Sequence, residues 1–394
     1  TRNSGNIMIY LVCHSGYLNF GDELIAKTWI NFLTNKFPLE EIWVDTCNPG
    51  VSAVAFKDYK NIKFTDTLWT ASRNSINKGI DYILDLGFQN DGGVSFANGL
   101  ELIKSARCVH MIGGGYMNSE FYFNYAIIAI LAKLKKEAGF ELFGTGLGLE
   151  PIDQSYERII GELFKVFSWI DVRDEKSYQR LIHWGLKSKA SFSCDDVFLS
   201  PIPQSDEDRP GKLIISAQPG SNPFLVVSFL LKLIEHCPQA QNGIEFLTLD
   251  AISDHIIIDK VVSISRRTDI VVRDFNDLWK NGFQISSNDF VFSTRFHAHL
   301  VASMMGARGL CASVSVPYYD VKHLSLIEMG SGFDIIGMHD FTFSYDWNKK
   351  TETFHDHAQT ARKTKLDIVD KVYGFMIESS INDNTIDNST NLSV

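Results

Sequence analysis

The chain has 394 residues, 45% of them apolar and 21% charged, and a formal net charge of −10. That length exceeds what one hydrophobic core usually supports, so two domains are expected, and the composition is that of an ordinary folded protein. The acidic balance excludes a nucleic-acid binder, which needs an excess of lysine and arginine, and an anionic ligand would require the basic residues to be gathered locally.

Cys13, Cys47, Cys108, Cys194, Cys237 and Cys311 are scattered singly, with no C-x-x-C or zinc-like spacing. A reduced, cytoplasmic setting is expected, with a eukaryotic secretory origin as the alternative. The chain begins without methionine and shows no signal peptide, which is compatible with a removed leader. The longest apolar run, Ala126 to Leu134, is interrupted by Lys133 and too short to span a bilayer. No integral membrane segment is expected. A lipid-linked substrate would be met at the membrane surface.

In chain order, Ile7 to Val12 predicts a strand. Asp22 to Phe37 predicts a helix with Leu24, Ile25, Trp29, Phe32 and Leu33 on one side. Glu41 to Asp45, Tyr82 to Leu86 and Cys108 to Ile112 are further strand candidates. Asn124 to Ala138 reads as a mostly buried helix, and Glu141 to Gly144 as the strand after it. Ile170 to Val172 is a strand followed by the helix Glu175 to Trp184. Such alternation implies a parallel sheet with helices on both faces. Three prolines and a charge cluster between Pro201 and Gly211 mark a linker or long loop. Beyond it, Lys212 to Ala217, Glu245 to Leu249, Ile270 to Arg273, Asp289 to Phe292 and Leu310 to Val314 predict strands. Phe224 to His236, Arg295 to Met305 and Asp356 to Ser379 predict helices. The reading is an α/β protein of two Rossmann-like doubly wound domains, 1–203 and 204–380, the second including the terminal helix. A flexible tail, 381–394, carries Asn388 and Asn391 in glycosylation-acceptor spacing, a match that arises easily by chance. Ligands of open α/β sheets bind outside the carboxyl ends of the strands, so chemistry is sought there.

The strongest candidate is Asp289-Phe-Val-Phe-Ser-Thr-Arg-Phe-His-Ala-His299 and the helix it enters. Phe296, Leu300, Val301 and Met304 share a buried face, while Arg295 and His297 fall off it in the first turn. A helix N-terminus favours anions, so two cationic residues here break a local preference, as functional sites do. Either an anion docks at this helix end, or Arg295 pairs with a carboxylate across the domain interface. His299 reads as structural, because residues two apart do not share a helix face. Gly16-Tyr-Leu-Asn-Phe-Gly-Asp-Glu23 forms a tight strand-to-helix turn. Its carboxylates, Asp22 and Glu23, serve either chemistry or the helix start. Gly113, Gly114 and Gly115, followed by Asn118, permit close backbone approach to a ligand but lack the dinucleotide-binding spacing, as does Gly144-Thr-Gly-Leu-Gly148. Arg173 is a second guanidinium at a strand end, with Asp174 as a helix cap. Asp195 and Asp196 add carboxylates in a loop of interdomain or catalytic role. Lys322 reads as solvated unless other residues draw it in.

Taken in order, these segments resemble the polysaccharide pyruvyl transferase family. The matching pieces are Tyr17 to Glu23, Gly113 to Gly115, Val172-Arg-Asp with Ser177, Asp195 or Asp196 before Phe198, Arg295-Phe-His297 with Ala302 and Gly306, and Tyr319 to Lys322. The resemblance implies a GT-B-like pair of domains with an interdomain cleft, the first on the acceptor side and the second on the donor side. It implies a cytoplasmic enzyme of exopolysaccharide or other polysaccharide biosynthesis. The donor would be phosphoenolpyruvate, with no cofactor. A sugar diol, lipid-linked or glycan-terminal, would accept a cyclic pyruvate ketal, and phosphate would be released. By motif position Arg295, His297 and Arg173 carry donor and catalytic roles, with Lys322, Asn19, Gly113, Gly114, Gly115, Asn118 and Ser177 as substrate-binding candidates. Two arginines suit a donor bearing a phosphate and a carboxylate. His297 is then the acid that protonates the methylene carbon, and Asp22 the group that takes a hydroxyl proton. No metal site is apparent. The family's usual proline after the helix–strand glycine is absent from Gly306-Ala-Arg-Gly-Leu310, so that loop is expected to be reshaped, with Arg308 toward the acceptor. The rivals are a nucleotide-sugar glycosyltransferase and a non-catalytic glycan binder. The first lacks the glutamate pair common in such enzymes, since Glu328 is the only glutamate between Gly282 and Gly337.

Overall fold

A computed structural model of the chain describes residues 8–17, 19–85, 93–202, 209–314, 318–347 and 354–387. Seven parallel strands form the first sheet: β1 (Met8–Val12), β2 (Glu41–Asp45), β3 (Ile62–Thr65), β4 (Cys108–Met111), β5 (Glu141–Leu147), β6 (Trp169–Val172) and β7 (Ala190–Phe192), in the order β3-β2-β1-β4-β5-β6-β7. Six more form the second: β8 (Leu213–Ser216), β9 (Ile244–Leu247), β10 (Ile270–Arg273), β11 (Phe290–Ser293), β12 (Arg308–Cys311) and β13 (Gly332–Ile335), in the order β10-β9-β8-β11-β12-β13. The central strands are continuous buried runs, such as Ile9 to Val12 and Leu213 to Ser216. Only a parallel sheet covered by helices on both faces buries a strand in this way. Each sheet winds outward in both directions from its first strand. The winding reverses between β1 and β4 and between β8 and β11, where Val12 pairs with Met111 and Ser293 with Ser216. Those switch points open the crevices that ligands use in such folds.

Two helices start at these crevices. The first helix, Phe20–Lys36, is capped by Asn19, whose side chain accepts from the Gly21 N–H, and carries Asp22 and Glu23 in its first turn. Both features satisfy the orphan N–H groups and dipole of a helix start. The Phe296–Met304 helix follows β11 and has no side-chain cap.

The terminal helix, Phe354–Asp387, departs from the chain-order grouping. It packs on the second domain through Phe354 and Ala358 and then returns to the first sheet. Tyr373 is fully buried there, its hydroxyl 2.7 Å from His110 Nδ1 on β4. Lys365 Nζ donates to Asp171 Oδ2 at 2.7 Å and to Asp196 Oδ1 at 2.6 Å. Asp196 Oδ2 also accepts from the Gly113 N–H, Trp29 Nε1 and Thr145 Oγ1. Burial disfavours a charge on Lys365, but Asp171 and Asp196 outweigh it and hold the ammonium above its usual range. The helix also extends to Asp387, into the stretch read as tail, while 388–394, with Asn388 and Asn391, lie outside the described residues.

Tyr82 to Leu86 is not a strand. Residues Ile80–Asp85 form a helix with Ile83 fully buried, and Leu86 lies outside the described residues. A short apolar run does not distinguish a strand from a buried helical turn. β5 runs past Gly144 to Leu147, with a register shift against β6 between those two residues.

Candidate active site

The two helix starts meet. The Phe20 N–H donates to the Leu249 carbonyl at 2.8 Å, and Asn19 forms an antiparallel bridge with Asp250. Gly21 faces His297 so closely that a Cβ there would stand 1.9 Å from Nδ1. A cavity of ≈ 170 Å³ opens beside this junction. The first domain contributes His14, Asn19, Asp22, Gly115, Tyr116, Phe121 and Arg173 to its walls. The second contributes Leu249, Arg295, Phe296, His297 and Lys322.

Arg295 is the residue before the Phe296 helix, with extended backbone. Its Nη2 donates to Asp254 and to Ser253 Oγ, and lies 3.8 Å from Asp250 Oδ2. These carboxylates belong to its own domain and hold the guanidinium from behind, so the interdomain pairing weighed for Arg295 does not occur with them. Arg173 is 6% exposed, with Nη1 3.7 Å from Asp195 Oδ2 and its guanidinium 5.5 Å from the Phe296 ring centre. Gly148 makes the room, since a Cβ there would lie 2.7 Å from Arg173 Nε. His297 Nε2 lies 3.6 Å from Asp195 Oδ1. Burial raises the Asp195 carboxyl, but His297 and then Arg173 overcome it and hold it at about 2. Enclosure and the neighbouring Arg173 push the Lys322 ammonium well below its usual range, against the pull of Asp22, Asp174 and Asp195. The Nε groups of Arg173 and Arg295 are buried with no hydrogen-bond partner among the described residues.

The family model for polysaccharide pyruvyl transferase matches residues 19–315, which carry nearly all of these wall residues. The chain belongs to the polysaccharide pyruvyl transferase family. No curated protein matches its sequence significantly. Among solved structures it is similar to a protein assigned as a UDP-N-acetylglucosamine 2-epimerase from Listeria monocytogenes, with 12% identity over 93% of this chain and 97% of that one, at a TM-score of 0.57. The UDP-N-acetylglucosamine 2-epimerase of Neisseria meningitidis, bound to UDP-N-acetylglucosamine, gives 10% identity over 92% and 100%, at 0.51. A Rickettsia africae glycosyltransferase gives 11% identity over 93% and 99%, at 0.50. At such identities the likeness establishes the two-domain GT-B-like fold and nothing of substrate.

In this pyruvyl transferase family member the sequence-derived candidates divide into two groups. His297, Arg295, Asp22, Arg173, Lys322, Asn19 and Gly115 share the cavity wall. Gly113, Gly114, Asn118 and Ser177 stand behind it. The Gly113 N–H donates to Asp196, and Gly114, at φ +148°, accepts from the Gly148 N–H. Asn118 is fully buried, donating to the Gly115 carbonyl at 2.9 Å. Ser177 Oγ donates to Asp174 and accepts from the Leu149 N–H, fixing the helix start beside Arg173. Arg308 is at neither place. It begins β12, at the end of the strand remote from the crevice, and donates to the Trp347 carbonyl. The expectation that it reaches an acceptor fails because the loop lacking the proline lies at the amino ends of the strands, away from the crevice at their carboxyl ends. His299 is fully buried, 2.9 Å from His323 Nδ1 and 2.9 Å from Ser331 Oγ. Burial pushes both imidazoles down, His323 to about 4, so the pair is a neutral structural link.

Residue reasoning alone passed over His14, Tyr116 and Phe121. His14 stands two residues beyond β1, at a strand end where chemistry was sought, but a lone histidine carries no spacing to mark it. Ser253 and Asp254 had no local signal at all, because only the fold brings them behind Arg295.

Proposed function

We propose that this protein transfers the enolpyruvyl-derived group of phosphoenolpyruvate onto two hydroxyls of a saccharide, forming a cyclic pyruvate ketal and releasing phosphate. One observation carries this reading: Arg173, Arg295, Lys322 and His297 converge from two domains on one small cavity of an otherwise acidic chain. Phosphoenolpyruvate carries a phosphate and a carboxylate within a few ångströms, and two guanidiniums match that charge, with the Lys322 amine beside them.

The reaction needs a proton on the methylene carbon, which turns the adjoining carbon electrophilic. His297, whose Nε2 lies 3.6 Å from Asp195 Oδ1, supplies it. Phosphate departure is stabilised by Arg173, Arg295 and the N–H groups at the start of the Phe296 helix, which has no side-chain cap among the described residues. Asp22 supplies negative charge on the acceptor side of the same cavity.

The test is phosphate release from phosphoenolpyruvate with a panel of mono- and oligosaccharide acceptors, with the ketal methyl read by NMR. Wild type should release phosphate in an acceptor-dependent way, and His297→Ala should abolish turnover while the protein stays folded. Consumption of UDP-sugars alone would transfer the protein to the glycosyltransferases. Glycan binding with no turnover would make it a lectin-like member.

A further inference from the structure

The donor-side cations leave the opposite wall of the cavity without an assigned chemical role. His14 forms part of that wall, with its side chain 30% exposed. Its Nδ1 lies 3.0 Å from Asp22 Oδ2, which also accepts from Asn19 Nδ2 at 2.9 Å. The imidazole rests against Tyr17 and Trp69, with ring centres 5.2 and 5.1 Å away, and lies nearly parallel to Tyr116 at 5.9 Å. Burial raises the Asp22 carboxyl, but the His14 hydrogen bond and the charges of His14, His297 and Lys322 outweigh it and keep it ionised. In the neutral form of the imidazole an ionised Asp22 takes the Nδ1 proton, which leaves the lone pair at Nε2. That nitrogen has no hydrogen-bond partner among the described residues. Asp22 itself is 14% exposed and already engaged by two donors through one oxygen.

We propose that His14, oriented by Asp22, is the base that receives the acceptor hydroxyl proton, with Asp22 a positioning residue and not the base itself. This rests on the pyruvyl-transfer reading. It follows the usual logic of a nucleophile, a base and a third group that orients the base. The steps balance. His297 gives its proton to the methylene carbon, which becomes the methyl group. The hydroxyl oxygen bonds to the adjacent carbon as its proton passes to His14 Nε2. The bond from that carbon to the phosphate oxygen then breaks, its electron pair leaving with phosphate. The neighbouring hydroxyl closes the ring. Of the two hydroxyl protons, one replaces that given by His297 and the other leaves on phosphate. The half-exposed rings of Tyr17 and Phe121, 53% and 39% exposed, stand on this side and present apolar faces to a sugar ring.

The experiment uses the full chain with phosphoenolpyruvate and the best acceptor found for wild type. His14→Ala should lower kcat by about 10²–10⁴-fold, the usual worth of a positioned base, with KM for phosphoenolpyruvate within threefold of wild type. Added imidazole should restore part of the lost turnover, which a purely structural role would not permit. His14→Gln should show the same split and guards against a folding failure of the alanine variant. Wild type that is active alongside a His14→Ala enzyme within fivefold of it overturns the base assignment alone. So does a loss that imidazole leaves untouched while KM for phosphoenolpyruvate rises in step. Wild type that releases no phosphate with any acceptor overturns both the base and the reading it rests on.

Discussion

Gly21 sits in the second position of the first helix, where propensity alone favours alanine by about 1 kcal/mol. The structure predicts the opposite. A Cβ at residue 21 would stand 1.9 Å from His297 Nδ1 and 2.6 Å from its Cε1. Carbon contacts settle near 3.5–4.0 Å, so the imidazole would retreat by roughly 1.5 Å. A displacement of about 1 Å at a reacting group costs on the order of 10²-fold, or about 2.7 kcal/mol of barrier. Overpacking costs a further ~1–3 kcal/mol of stability, partly offset by the helix gain. Gly21→Ala should therefore lower kcat/KM for phosphoenolpyruvate at least ~100-fold, with a modest fall in melting temperature. In a His297→Ala background the obstruction is gone, and the same change should be neutral or stabilising. Phosphate-release kinetics and thermal melts of the four proteins of this cycle decide the matter. If Gly21→Ala keeps kcat/KM within threefold, or destabilises equally with and without the imidazole, the two helix starts do not meet as described.

Gly148→Ala would place a Cβ 2.7 Å from Arg173 Nε and should weaken phosphoenolpyruvate binding by roughly 1.5–3 kcal/mol in calorimetry. Unchanged affinity would remove Arg173 from the donor site. Glu23 is 3% exposed, and burial, then Asp22, raises its carboxyl to about 7 against the Gly16 N–H it accepts. A raised carboxyl binds its proton more tightly when folded, so stability falls as pH climbs from the unfolded value of about 4.3 to about 7. Glu23→Gln keeps an acceptor for Gly16 and cannot ionise, so its melting temperature should gain on wild type between pH 5 and pH 8. A gap that does not change with pH refutes the assignment. Lys365→Met leaves Asp171 and Asp196 facing each other in a dry interior and should cost about 3–5 kcal/mol in denaturant unfolding. A variant as stable as wild type would show that the ion triad does not hold the terminal helix.

The alternation of strand and helix was legible because the central strands are buried on both faces and stand out as apolar runs. Of the four edge strands only β10 was, at Ile270 to Arg273. β3, β7 and β13 have four, three and four residues, too few for any period to show. Arg295 and His297 were legible through a local contradiction, positive charge where a helix start prefers negative. Arg173 was legible by position alone, at a strand end. The carboxylates that aim these groups were harder to place. Asp195 was visible only as a loop acid, and Asp254 looks like any acidic residue before a helix until the fold sets it behind Arg295. Gly21 and Gly148 are glycines because of side chains from distant segments, information that no window of sequence contains. The berth of the terminal helix is of the same kind, since an amphipathic stretch does not say which sheet it will cover.

That berth has a consequence for how the protein is made. Tyr373 and Lys365, on the Phe354–Asp387 helix, plug the layer between Trp29, His110, Asp171 and Asp196. The half translated first therefore leaves the ribosome with an open seam, while the second sheet, β8 to β13, has its entire complement of strands before the Phe354–Asp387 helix is made. Domains ordinarily close in the order they emerge. Here the later one can close first, and the glycine loop anchored by Asp196 must wait for the Phe354–Asp387 helix.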